Sequence, residues 1–210
     1  MQLLIYILVY PILWIISILP FPIFYLLSDA ICFLVYNIIG YRKKVVRKNI
    51  QLALPHLSEK EQLTVEKKFY SHMCDMFLEM IKTMSISQKE MEKRFVFTNM
   101  EVYYDLEKKN KSIALMCAHY ASYEWVISMN YYTNFKGIGI YKRLANPYFD
   151  KLVKRIRSKF KAELITTKET IATIENNYRN NVLSLYGFAS DQSPRVSAAH
   201  HWASFMGHVV

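Results

Sequence analysis

His119 and Glu124 stand five residues apart, just beyond an apolar run from Ile113 to Cys117 that reads as a buried strand. Histidine exchanges a proton near neutral pH. A carboxylate that accepts a hydrogen bond from one ring nitrogen fixes the tautomer and makes the other nitrogen a better base. A hydroxyl deprotonated by such a ring can attack an acyl carbonyl. The competing structural reading is a loop histidine followed by an acid that favours the first turn of a helix.

On one continuous helix this separation would set the two side chains about 140° apart, so a turn has to lie between them. Ser122 offers an N-cap, and Tyr123, Glu124, Trp125, Val126, Ile127 and Met129 suit a helix with one buried side. His119 is therefore expected on a strand-to-helix loop and Glu124 in the first helical turn, oriented to hold His119.

Strands and helices alternate from this point: Ile113 to Cys117, a helix from Ser122, Gly137 to Tyr141, a helix from Pro147 to Phe160, Ala162 to Thr166, a helix near Glu169 to Arg179, and Val182 to Phe188. This order predicts an α/β fold with a mixed, largely parallel sheet flanked by helices. Ligands of such sheets gather beyond the carboxyl ends of the strands, where His119, Lys142, Arg143 and Asp191 all fall. Upstream, Ser58 with Glu61 forms a capping box before a long amphipathic helix, and Ser87 with Glu90 marks a second, shorter one. A further helix is expected near Met100 to Lys109.

The helix opened by Asn146-Pro147 carries Phe149, Leu152, Val153, Ile156 and Phe160 on its apolar side. Lys151, Lys154, Arg155, Arg157, Lys159 and Lys161 crowd the rest. Such a helix meets anionic lipid or an acidic protein, or is the solvated outer face of an α/β layer.

Of the 210 residues 52% are apolar, yet the formal net charge is +10. A chain both apolar and basic fits an anionic membrane surface better than nucleic acid, for which no recognition motif is present. From Leu3 to Leu19 no residue is charged, and apolar character resumes from Phe21 to Leu27 and from Ile31 to Ile39. One span is expected near Leu3 to Phe24, with Ile31 to Ile39 as an interfacial or re-entrant helix. Arg42, Lys43, Lys44, Arg47 and Lys48 follow and place this side in the cytoplasm, on the inner membrane.

Cys32, Cys74 and Cys117 are odd in number and widely spaced, as reduced core thiols would be. His200, His201 and His208 have no cysteine or carboxylate at ligand spacing, so no metal site is expected. Glycine-rich phosphate loops, a Gly-x-Ser-x-Gly elbow and paired-cysteine zinc motifs are absent from the sequence.

Four ordered blocks behind the apolar amino terminus carry a resemblance. They are Tyr41 to Asn49; His119 with Glu124; Ile140 to Asp150; and Asp191-Gln192-Ser193-Pro194 followed by His201-Trp202 and Phe205-Met206-Gly207. Together they resemble the bacterial lipid A biosynthesis late acyltransferases, within the lysophospholipid acyltransferase group. The resemblance implies a membrane-bound O-acyltransferase that moves a fatty acyl chain from a thioester of acyl carrier protein or CoA to a hydroxyl of a lipid A precursor or related membrane lipid. No other cofactor is implied.

It further implies His119 as general base and Glu124 as its orienting partner, with Tyr141, Lys142 and Arg143 in the block that contacts phosphate or the developing oxyanion. Asp191 and Gln192 would line the acyl or acceptor site. The expected organisation is a membrane anchor over residues 1–40, a basic juxtamembrane and helical region over 41–110, and an α/β acyltransferase core over 111–210. Family members continue past the Phe-x-Gly block, so that core is expected to be C-terminally incomplete. The alternative is a non-catalytic membrane-anchored protein that binds lipid or a partner.

Overall fold

A computed structural model describes residues 1–192, 201–205 and 208–209. Ser193, Pro194, Met206 and Gly207 of the motif blocks lie outside the described residues. The chain divides into two compact units, one formed by residues 1–18 and 80–191, the other by 19–79 and 192–210.

The first unit is built on a four-stranded parallel sheet: β1 (Ile113–Cys117), β2 (Lys136–Tyr141), β3 (Ala162–Thr166) and β4 (Ser184–Ala189), in the spatial order β1-β4-β2-β3. The connections from β1 to β2 and from β2 to β3 advance across the sheet, and that from β3 to β4 returns. Right-handed crossovers then require the advancing and returning elements to cover opposite faces. They do. A 3-10 helix, Tyr123–Tyr131, and α7 (Pro147–Ser158) line one face with Leu115, Gly139, Leu164, Leu185 and Gly187. On the other, Ile174 of α8 (Thr170–Arg179) packs on Ile138, Ile165 and Tyr186.

Local chemistry sets the helix ends. Asn146 caps α7 by accepting from the Tyr148 and Phe149 amides, with Pro147 in the first turn. In α8, Asn177 donates to Ser184 and Tyr186, satisfying a buried polar group across the helix–sheet interface. The segment expected to form a helix from Ser122 is instead wound as a 3-10 helix, and Ser122 makes no side-chain cap bond to it.

This unit also holds α1 (Gln2–Ile18), which packs along α7: Tyr6 meets the rings of Tyr148 and Phe149, and Asn146 donates to the Gln2 carbonyl at 3.1 Å. At its other end the Ser17 carbonyl accepts from Lys82 Nζ at 2.7 Å and from the Ser85 hydroxyl. Short α5 (Gln88–Arg94) and α6 (Met100–Glu107) complete the unit. Tyr103 of α6 packs against Met129 and Leu185.

The second unit contains α2 (Phe21–Phe33), whose helix continues with a wider, π-helical pitch over Leu34–Ile39, then α3 (Lys43–Ala53) and most of α4 (Glu59–Lys82). Tyr70, Cys74 and Leu78 are its buried apolar stripe on α4, and Glu66 there takes a two-pronged bond from Arg47. The Ser58 capping box is formed, the Glu61 carboxylate accepting from the Ser58 amide at 2.8 Å. A short antiparallel pair, β5 (Ser204–Phe205) with β6 (His208–Val209), also belongs to this unit.

The expected boundaries in the apolar amino terminus are corrected. No single helix runs from Leu3 to Phe24, because Pro20 is extended (φ −56°, ψ 143°) and starts a new helix that holds Pro22 in its first turn. Ile31 to Ile39 is not a separate piece but the second half of Phe21–Ile39. Those 19 residues, of mean hydropathy 1.8, are long and apolar enough to cross a membrane. Pro11 sits inside α1 and is tolerated there.

Candidate active site

Parallel pairing sets Cys117 of β1 beside Ala189 of β4, so the residues two steps past each strand end emerge side by side. They are His119 and Asp191. Asp191 Oδ1 lies 2.6 Å from His119 Nδ1, and its Oδ2 accepts the His119 backbone amide at 2.9 Å. The ring and backbone hydrogen bonds from His119 hold the Asp191 carboxyl below the usual carboxylate range.

An ionised carboxylate only accepts, so Nδ1 carries a ring proton, and in the neutral form of the ring the lone pair lies on Nε2. Tyr123 braces the ring edge-on, with centroids 4.7 Å apart. The loop between them turns sharply through Ala121, whose φ of 51° lies in the left-handed region.

Glu124, expected to hold His119, is engaged elsewhere. Both its oxygens bond Arg157 of α7, at 2.6 and 2.7 Å to Nη2 and 3.1 Å to Nε. These side chains are 14% and 20% exposed, which makes the ion pair a largely desolvated, geometrically specific one. Its neighbours are anchored to one turn, Thr83 to Ile86. The Trp125 indole donates to the Thr83 hydroxyl, and Lys159 Nζ donates to the carbonyls of Thr83, Met84 and Ile86 at 3.0–3.2 Å. Burial pushes the Lys159 ammonium below its ordinary value.

Between the 3-10 helix and the sheet lies an apolar cavity, about 680 Å³ of atom-free space including its open mouth. Glu124 and Arg157 line it together with Cys117, Ala189, Gly139 and Gly187. Burial raises the Cys117 thiol, which rests against the Phe188 carbonyl. That thiol is a wall group and a poor nucleophile.

Of the other expected residues, Tyr141 is buried and donates its hydroxyl to Asp150, which also accepts the Leu144 amide at 3.0 Å. This bond shapes the loop holding Lys142 and Arg143, both exposed. The charge of Arg143 reaches Asp150 and Glu169 and helps to hold both acids low, behind the larger effects of backbone amides. Gln192 is exposed. The structure thus brings His119 to Asp191, and Glu124 to the unforeseen Arg157. Among the described residues no cluster of histidine, cysteine and acids could hold a metal ion.

A family model described as bacterial lipid A biosynthesis acyltransferase matches residues 1–198. The lipid A biosynthesis lauroyltransferase of Escherichia coli (strain K12) is 23% identical over 186 residues, which cover 89% of this chain. The chain spans 60% of that relative's length.

Proposed function

Because the chain belongs to the bacterial lipid A biosynthesis acyltransferases, we propose that it transfers a fatty acyl chain from a thioester to a hydroxyl of a lipid A precursor. The observation that carries this reading is the His119–Asp191 contact, which lies two residues beyond Cys117 and Ala189 of the apolar cavity and occupies Nδ1, so that Nε2 is the ring nitrogen proposed as the base.

His119 Nε2 takes the proton of the acceptor hydroxyl as its oxygen attacks the thioester carbonyl. The tetrahedral oxyanion then collapses, the carbon–sulfur bond breaks, and the imidazolium returns its proton to the departing thiolate. Asp191 acts through His119, holding its tautomer and stabilising the imidazolium. Glu124 acts through Arg157, locking the guanidinium at the rim of the cavity, while Lys142 and Arg143 supply cationic charge from the next strand end. Tyr141 sets the loop of Lys142 and Arg143, and Gln192 extends the acceptor side.

The donor is acyl carrier protein, whose acidic surface a net charge of +10 attracts, or acyl-CoA. Residues 1–40 attach the protein to the inner membrane. The five cations from Arg42 to Lys48 favour the cytoplasmic side of that membrane by the positive-inside bias.

The test uses the full chain in mixed micelles with a lipid A precursor and either donor, the products being read by mass spectrometry. Acylated lipid is expected from the wild type. His119→Ala should lower its formation by about 10²-fold or more while membrane binding persists. Release of free fatty acid without acylated lipid would make the protein a hydrolase, and no turnover with either donor would leave only a binding role.

A further inference from the structure

One row of residues crosses the sheet beneath the 3-10 helix: Leu115 of β1 pairs with Gly187 of β4, Gly187 with Gly139 of β2, and Gly139 with Leu164 of β3. All four line the cavity. The two central positions of this row have no side chain, so the floor sinks where neighbouring strands would otherwise fill it. One row nearer the site, the floor is Cys117 and Ala189, again small, and directly beyond them stand His119 and Asp191. One row further in, Leu185 packs with Met129 and closes the trough.

Resting on the acyl-transfer reading, we propose that this trough receives the donor's acyl chain, and that Gly187 is the residue setting the length it accepts. From Ala189 to Leu185 the strand advances about 13 Å. An extended chain covers about 1.2 Å per bond, so roughly eleven bonds fit between the mouth and the Leu185 wall.

Gly187 lies halfway, about six bonds in. A Cβ added there meets nothing closer than the Ile138 carbonyl at 3.8 Å, so a side chain enters the trough without disturbing the strand. Gly139 differs, since its Cβ would press Leu164 Cδ2 at 2.9 Å.

Two readouts on the full-length protein test this, one independent of turnover. A pantetheine thioester of a twelve-carbon acid bearing a terminal diazirine is irradiated with the wild type, and the labelled peptides are mapped. Label on the segment holding Val126 to Asn130 or on Leu185 is expected, and label elsewhere or nowhere overturns the proposal.

In parallel, donors of six to sixteen carbons are compared in wild type and Gly187→Val. Each methylene kept from the apolar trough weakens binding about fourfold. The variant should therefore lose about 10²-fold or more with the twelve-carbon donor and stay within about twofold with the six-carbon donor. Equal losses at every length, or none, sink the assignment of Gly187 while leaving acyl transfer intact. Correct labelling without transfer from any donor sinks the transfer reading and leaves the chain site standing.

Discussion

Replacing Asp191 by asparagine tests the arrangement more sharply than deleting the side chain. Asp191 offers two acceptors at once, Oδ2 to the His119 amide and Oδ1 to the ring. Asparagine has one acceptor, and the backbone N–H, which can only donate, claims it. The amide NH₂ is then presented to Nδ1, which must accept, and the ring proton moves to Nε2. The position that should receive the substrate proton is thereby filled. The loss is the general-base factor, about 10²–10⁴-fold in kcat, with KM changing little because both oxygens of Asp191 are engaged by His119. Asp191→Ala leaves the tautomer free, so part of the population stays competent and the loss is smaller. Initial rates of acylated-lipid formation for both variants, with melting temperatures as a folding check, decide the matter. Asparagine equal to wild type, or alanine the worse of the two, refutes the reasoning.

Arg157→Met should destabilise by about 2–4 kcal/mol, since it strands the Glu124 carboxylate at 14% exposure; adding Glu124→Gln should recover part of this in a thermal-melt double-mutant cycle. Gly137→Ala should cost about 1–3 kcal/mol, because its Cβ would overlap the Asn130 side chain. Ala121→Gly should stay within about 1 kcal/mol of wild type, relief of the positive φ offsetting the extra chain entropy, whereas Ala121→Val should fall further in the same melts. Asp150, Glu169 and Asp191 have folded values below their unfolded ones, so the stability they add is complete above about pH 5 and is lost as pH falls through the folded values. Acid melts should show this loss, and Asp150→Asn should make their slope shallower.

The strands were legible because each is a short apolar run between turn residues, and β1 and β3 begin and end where that pattern does. The positions of His119 and Asp191 at strand ends were equally plain. Their partnership was not, since it depends on β1 and β4 being neighbours across 72 positions of sequence, and strand order is a tertiary property. Arg157 was hidden among the four cations of α7, although its place four residues after Val153 sets it at the edge of the apolar side. The break at Pro20 was visible as a proline, but hydropathy averaged over a window runs across it. The 3-10 winding after Ser122 adjoins a tight turn at Ala121, and neither is revealed by periodicity.

The turn from Lys82 to Ile86 has a practical consequence for handling the protein. On one side Lys82 and Ser85 both hold the Ser17 carbonyl near the end of α1; on the other, Thr83, Met84 and Ile86 receive Trp125 and Lys159, neighbours of Glu124 and Arg157. Trimming the apolar amino terminus to obtain a soluble preparation would therefore remove hydrogen-bond acceptors from the unit that carries His119. It would also strip α7 of the aromatic cover given by Tyr6. A shortened protein that loses turnover would report a loosened scaffold, and its inactivity would say nothing about whether chemistry needs the membrane. Detergents or lipid discs that keep Gln2 to Ile18 in place are the sound starting material.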